Sequence, residues 1–164
     1  MSHTKKQHQL LSIAKRYKPR GVFVHFRRDG YLTPAHAIIH YDGSKVMYVP
    51  KPESIHALYI FLHECAHHHL GHCKSDYNEP LWRMEYEAEQ WTIATMRREG
   101  LSVSRSMLAS AKEYVAECAI IDIAKGRCGP PAKIKTWMSR KFKTKPKPIE
   151  NMRRPKIARK RKKK

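Results

Sequence analysis

Ser54-Ile-His-Ala-Leu-Tyr-Ile-Phe-Leu-His63-Glu64-Cys-Ala-His67-His-His-Leu-Gly71-His72 reads as one helix that carries a His-Glu-x-x-His motif at residues 63 to 67. At about 100° per residue, His63 and His67 project from a single helical face. Two imidazoles placed in this way can share one small cation at about 2.0 to 2.1 Å, the distance and donor type of zinc. Glu64 sits beside them and suits a general base rather than a ligand, since zinc lowers the pKa of a water to about 7 and leaves its proton to be taken up. The expected chemistry is hydrolysis. A pattern with three fixed positions also arises by chance, the more so among the five histidines between residues 63 and 72. Context counters that: Ile55, Leu58, Ile60, Phe61 and Leu62 form an apolar helix body, and Pro50-Lys-Pro-Glu-Ser supplies its start signal. His68 and His69 turn away from the motif face as helix-surface residues. His56, seven residues before His63, returns to that face, and both a place lining the cleft and a place on the surface are open to it.

A chain of 164 residues with 41% apolar content has room for one domain with a core. No run of 18 apolar residues occurs, which excludes a hydrophobic membrane span, and the start Met1-Ser-His-Thr-Lys-Lys-Gln-His lacks the apolar centre of a secretory signal. A cytoplasmic protein is expected. Cys65, Cys73, Cys118 and Cys128 show no Cys-x-x-Cys spacing and fit reduced thiols better than a disulfide framework.

Outward from the motif helix toward the N-terminus, Leu10 to Tyr17 predicts a short amphipathic helix ended by Pro19-Arg-Gly21. The hydrophobic period then changes to two. Val22 to Phe26, Ala35 to Tyr41 and Lys45 to Val49 read as strands, separated by turn chemistry at Asp29-Gly30 and Asp42-Gly43, so a three-stranded antiparallel meander is expected. The last strand leads into the motif helix through Pro50-Lys-Pro52. Its edge is therefore expected beside the metal, where an extended peptide could add as a further strand.

Toward the C-terminus, a polar loop over Lys74 to Asn78 precedes a second long helix, Glu79 to Glu99, stopped by Gly100. Catalytic zinc takes three protein ligands, so the histidine pair is incomplete by itself. Glu85, Glu87 and Glu89 are the available acids. Glu85 and Glu89 share a face as i and i+4, which lets one bind metal while the other accepts the free N–H of a ligating histidine; Glu87 points elsewhere. The competing reading of three spaced acids is a solvated charged face. Ser102 to Lys125 predicts a third long helix, capped by Ser102 or Ser104, that acts as core scaffold. Ala132 to Phe142 predicts a short basic helix with Ile134, Trp137 and Met138 on one face.

His63-Glu64-Cys-Ala-His67, Leu70-Gly71-His72 and then Glu85-Tyr-Glu87-Ala88-Glu89-Gln-Trp91 resemble the ImmA/IrrE family of small bacterial and phage zinc metallopeptidases, over about residues 36 to 98. The resemblance implies His63 and His67 as zinc ligands, Glu64 as catalytic base and Glu85 as third ligand. It also implies a minimal gluzincin fold, a small sheet packed on helices, and a protein substrate such as a DNA-binding regulator. Glu89 stands where the family has Asn or Asp, and Trp91-Thr-Ile-Ala94 replaces a Phe-Ala continuation. The first departure leaves Glu87 open as an alternate ligand. No helix-turn-helix module is visible.

Residues 143 to 164 hold twelve Lys or Arg and one acid, Glu150, interrupted by Pro146, Pro148 and Pro155. Such a segment cannot bury a core and is expected to be a disordered tail beyond a domain of residues 1 to 142. It carries +11 of the formal +20 and leaves the domain at +9. Nucleic acid is the natural partner of that charge, with a solubilising tail as the plainer alternative. The tail has no aromatic residue to stack on bases. Together the residues read as an α+β, zincin-like, zinc-dependent endopeptidase with a basic tail; the alternative is a non-catalytic zinc-containing nucleic-acid-binding protein. Tyr31, Tyr86 and His56 are the candidate donors to an oxyanion.

Overall fold

Lys45-Val-Met-Tyr-Val-Pro50 is the strand with most to bury, and it takes the middle of the sheet. The computed structural model describes residues 3–27, 35–73 and 79–142. Within them the order is α1 (His3–Tyr17), β1 (Val22–Arg27), β2 (His36–Ile39), β3 (Lys45–Pro50), α2 (Ile55–Leu70), α3 (Leu81–Arg98), α4 (Arg105–Ala124) and α5 (Ala132–Phe142). The class is α+β. The sheet order is β1-β3-β2, with β1 parallel to β3 from Val22↔Lys45 to Arg27↔Pro50, and β2 antiparallel to β3 from His36↔Tyr48 to Ile39↔Lys45.

This corrects the expected antiparallel meander: the sheet is mixed, and β1 and β2 are not neighbours. The physical reason lies in β3. Met47 and Val49 are fully buried and Val46 nearly so, and a central position pairs the backbone of that buried strand on both sides, where an edge would leave one row of polar groups open. Asp29-Gly30, read as the first hairpin turn, lies outside the described residues. The second turn forms as expected: Gly43 takes φ 80°, and Asp42 Oδ1 accepts the Ser44 amide at 2.9 Å. A second correction follows from the order. With β3 flanked on both sides, the outer strand beside the motif helix among the described residues is β2, not the last strand.

The motif helix α2 is defined by its caps. Ser54 Oγ accepts the Ala57 amide at 3.0 Å, and Gly71 ends the helix in the left-handed region at φ 78°. Its apolar face supplies Leu58, Phe61, Leu62 and Cys65 to the main core, where they meet Leu10, Ile13 and Ala14 of α1, Val22, Met47 and Val49 of the sheet, and Met96 of α3. Helix α1 starts at His3, about two turns before Leu10, because its polar early residues tolerate a helix whose buried positions begin only at Leu10. A second cluster, Val115, Ala119 and Ile134 with Trp82, Tyr86 and Trp137 against it, joins α4 and α5 to the start of α3. Thus α3 is held on both sides, and the acids on it are carried by a rigid element.

Candidate metal centre

Side chains four apart on a helix share a face, and α2 and α3 bring two such faces together. His63 and His67 face Glu85. His63 Nε2 lies 3.0 Å from Glu85 Oε2, His67 Nε2 lies 3.1 Å from His63 Nε2, and His67 Nε2 lies 3.5 Å from Glu85 Oε2. Three donor atoms converging in this way are a group that could hold a metal ion. A tetrahedral ion with arms of about 2.0 to 2.1 Å sets its ligand atoms about 3.3 to 3.4 Å apart, and the three observed edges bracket that spacing. Two imidazoles and one carboxylate also match the donor set of a zinc site that keeps one open position. The residues present therefore fit the ion.

The electrostatics follow from burial. Glu85 is buried, which by itself disfavours its charge, yet the hydrogen bond from His63 and the close approach of His67 outweigh this and hold its carboxyl down at about 2. For His63, burial opposes the imidazolium, but Glu85 and Glu89 more than compensate and move its pKa upward. Glu64 is buried, and desolvation raises its pKa despite the two histidines. A carboxylate raised in this way is a stronger base than one in water.

Glu89 faces the other side of His63. Its Oε1 lies 3.4 Å from His63 Nδ1, a charge contact without hydrogen-bond geometry, and Tyr59 donates its hydroxyl to Oε2. Glu87 is not among the converging atoms: its Oε1 accepts from Arg83 Nε at 2.9 Å and its Oε2 meets His72 Nε2 at 3.2 Å. Comparison with family models, with curated proteins and with solved structures found no match.

Two cavities of about 230 and 220 Å³ flank the centre and share Ala35, His63, Glu64 and Tyr114. The first runs under α4, lined by Met107 and Ala111 and by His56 of α2, so His56 does border the cleft. The second lies toward β2, lined by His36 and Ala37, and reaches His67, His72 and Glu85. His68 and His69 point away from the triad as expected, His68 Nε2 to the Val46 carbonyl at 3.3 Å and His69 onto the Trp91 ring at 5.2 Å. Tyr31 lies outside the described residues. Tyr86 borders neither cavity; it packs with Trp137 and takes a hydrogen bond from Lys133 at 3.2 Å, so it belongs to the α4–α5 side.

Two residues at the centre escaped the sequence reading. Tyr114 of α4 is part-exposed and borders both cavities, and loss of water on its cleft side together with the nearby Glu85 shifts its pKa upward. Nothing in the periodicity of α4 marks it, since α4 reads as scaffold. His72 is brought back over α2 by the helix end, its amide bonding the His67 carbonyl at 2.9 Å, and its ring meets that of His67. The signal for it was present: glycine in the left-handed cap position followed directly by histidine.

Proposed function

We propose that the chain is a zinc-dependent endopeptidase of zincin type, in line with its resemblance to the ImmA/IrrE metallopeptidases and with a cytoplasmic place of action. The single observation that carries the reading is the triangle of His63 Nε2, His67 Nε2 and Glu85 Oε2, spaced for one ion and bordered by a buried carboxyl, Glu64, that is not part of it. A zinc ion bound there supplies Lewis acidity, lowering the pKa of a water to about 7 and polarising a carbonyl. Glu64 takes the proton from the attacking water and returns it to the departing amine, which its raised pKa favours. Tyr114, protonated and facing the same space, donates to the oxyanion as the carbonyl becomes tetrahedral. The two cavities on either side of Glu64 suit an extended chain that crosses the site, and the outer edge of β2, which no other strand pairs among the described residues, offers it backbone hydrogen bonds. The substrate is a protein or peptide, a DNA-binding regulator by analogy with the family.

The second reading, a zinc-containing nucleic-acid-binding protein without activity, is favoured by a groove of about 320 Å³ between α3, α4 and α5. Arg97, Lys112 and Lys133 surround it, and Lys133 Nζ lies 5.5 Å above the Tyr86 ring and 5.8 Å above that of Trp137. Cations over aromatic faces are the parts from which single-stranded nucleic acid sites are made. A structural zinc is closed by four protein ligands, however, and among the described residues three converge.

Glu64→Gln separates the two. In the enzyme, the variant retains zinc and melting temperature and loses cleavage of a random peptide library read by mass spectrometry. A zinc-loaded wild type that cleaves no more peptide than Glu64→Gln sinks the peptidase reading.

A further inference from the structure

Two rings and one carboxylate continue outward from the metal centre in single file. His67 Nδ1 lies 3.2 Å from His72 Nδ1, His72 Nε2 lies 3.2 Å from Glu87 Oε2, and the other oxygen of Glu87 accepts from Arg83 Nε at 2.9 Å. Each neutral imidazole has one donor and one acceptor nitrogen, so the file admits one direction. Glu87, an acceptor held by Arg83, requires the proton of His72 on Nε2. His72 Nδ1 is then an acceptor and requires the proton of His67 on Nδ1. That leaves the lone pair of His67 on Nε2, the atom that faces His63 and Glu85. The opposite direction would set the lone pair of His72 Nε2 against a carboxylate oxygen with no cation position between them, whereas the lone pair of His67 Nε2 meets Glu85 across the candidate metal position.

We propose that Glu87 and His72 are positioning residues for the metal centre, a hydrogen-bonded relay that fixes the tautomer and ring orientation of His67 so that its Nε2 is ready for a cation. The proposal rests on the metal reading above and gives a task to the acid that the ligand set leaves over. His63 has a carboxylate directly beside its Nδ1, Glu89 at 3.4 Å, which meets it by charge alone. Among the described residues no carboxylate meets His67 at that distance on its Nδ1 side, and His72 bridges the gap to Glu87. The bridge exists because Gly71 ends α2 in the left-handed region and turns the chain back over the last helical turn.

The test uses the full chain and zinc alone, with affinities read by competition against a chelator for wild type, His63→Ala, His72→Phe, Glu87→Ala and the double variant His72→Phe/Glu87→Ala. Outer partners of metal-binding histidines cost about 10- to 100-fold in affinity when removed, and that loss is expected for each single variant. Because Glu87 acts through His72, the double variant should bind no more weakly than His72→Phe. Fully additive losses would show that Glu87 acts by another route and overturn the relay. A wild type that binds zinc, with His63→Ala losing it and His72→Phe unaffected, overturns the relay and leaves the metal centre standing; a wild type that binds no zinc removes both. Ring ¹⁵N NMR of zinc-loaded wild type keeps the proposal testable where a variant does not fold: His72 should be protonated at Nε2 and bare at Nδ1, and the reverse tautomer overturns it.

Discussion

Asp122 Oδ2 accepts the backbone amide of Trp82 at 3.0 Å, so the last turn of α4 caps the first turn of α3. Helix α3 has no side-chain cap of its own, since Pro80 occupies that position, and it presents Glu85 one turn later. Asp122 is fully buried and its second oxygen takes Arg127 Nη1 at 3.1 Å. Asp122→Ala removes the cap and both hydrogen bonds at a buried site, with an expected cost of about 1 to 3 kcal/mol. Thermal unfolding checks this: an unchanged melting temperature would show that α3 does not depend on α4 for its start.

Glu85 and Glu87 are predicted to differ in kind. Glu85→Ala deletes one corner of the ligand triangle and should weaken zinc binding by more than the roughly 10- to 100-fold that an outer partner costs. Glu87→Ala should stay within that range. The opposite order in a chelator competition would make Glu87 the ligand.

Zinc affinity should depend on pH through His63. Its pKa in the metal-free fold is raised, so the ion must displace a proton from it, and affinity should fall about tenfold per unit of pH below that pKa. Glu85, held at about 2, adds no dependence in the neutral range. The sign for the metal-free fold is the reverse: the stability contributed by His63 is fully present below its unfolded pKa and is lost as pH rises through its folded pKa. Affinity that is flat from about pH 5 to 8 would contradict the placement of His63 beside Glu85 and Glu89.

Tyr114→Phe removes a donor at the edge of the cleft while leaving the ring. A fall in kcat of about 10²- to 10³-fold is expected if the phenol stabilises the oxyanion, with zinc content and melting temperature near wild type. An unchanged kcat would assign the donor elsewhere.

Removal of residues 143–164 takes away twelve basic residues. Nucleic-acid binding should then lose affinity and show a shallower dependence on salt, because fewer counterions are released. Zinc binding should be unaffected. Lys133→Glu, in the groove beside Tyr86 and Trp137, tests the folded part of the basic surface in the same assay; an unchanged salt slope in both variants would remove nucleic acid as a partner.

Features that depend on neighbours along the chain are legible in the residues alone. Helix α2, its Ser54 and Gly71 caps, the shared face of His63 and His67, and the Asp42-Gly43 turn are consequences of residues within a few positions of one another, and local hydrogen bonds and periodicity suffice to produce them. The choice of Glu85 over Glu87 as the carboxylate that faces the histidines was only half legible: the helical period separates their directions, but which direction meets α2 depends on how α3 packs. Strand order was not legible, because pairing between β1 and β3 is set by the burial of Met47 and Val49 in the assembled core and leaves no mark on turn chemistry. Tyr114, Asp122 and the His72–Glu87 contact likewise join segments 15 to 40 or more residues apart. Such contacts exist only after the helices have buried their apolar faces, since it is that packing which brings polar groups within hydrogen-bond reach and removes the water that would otherwise satisfy them.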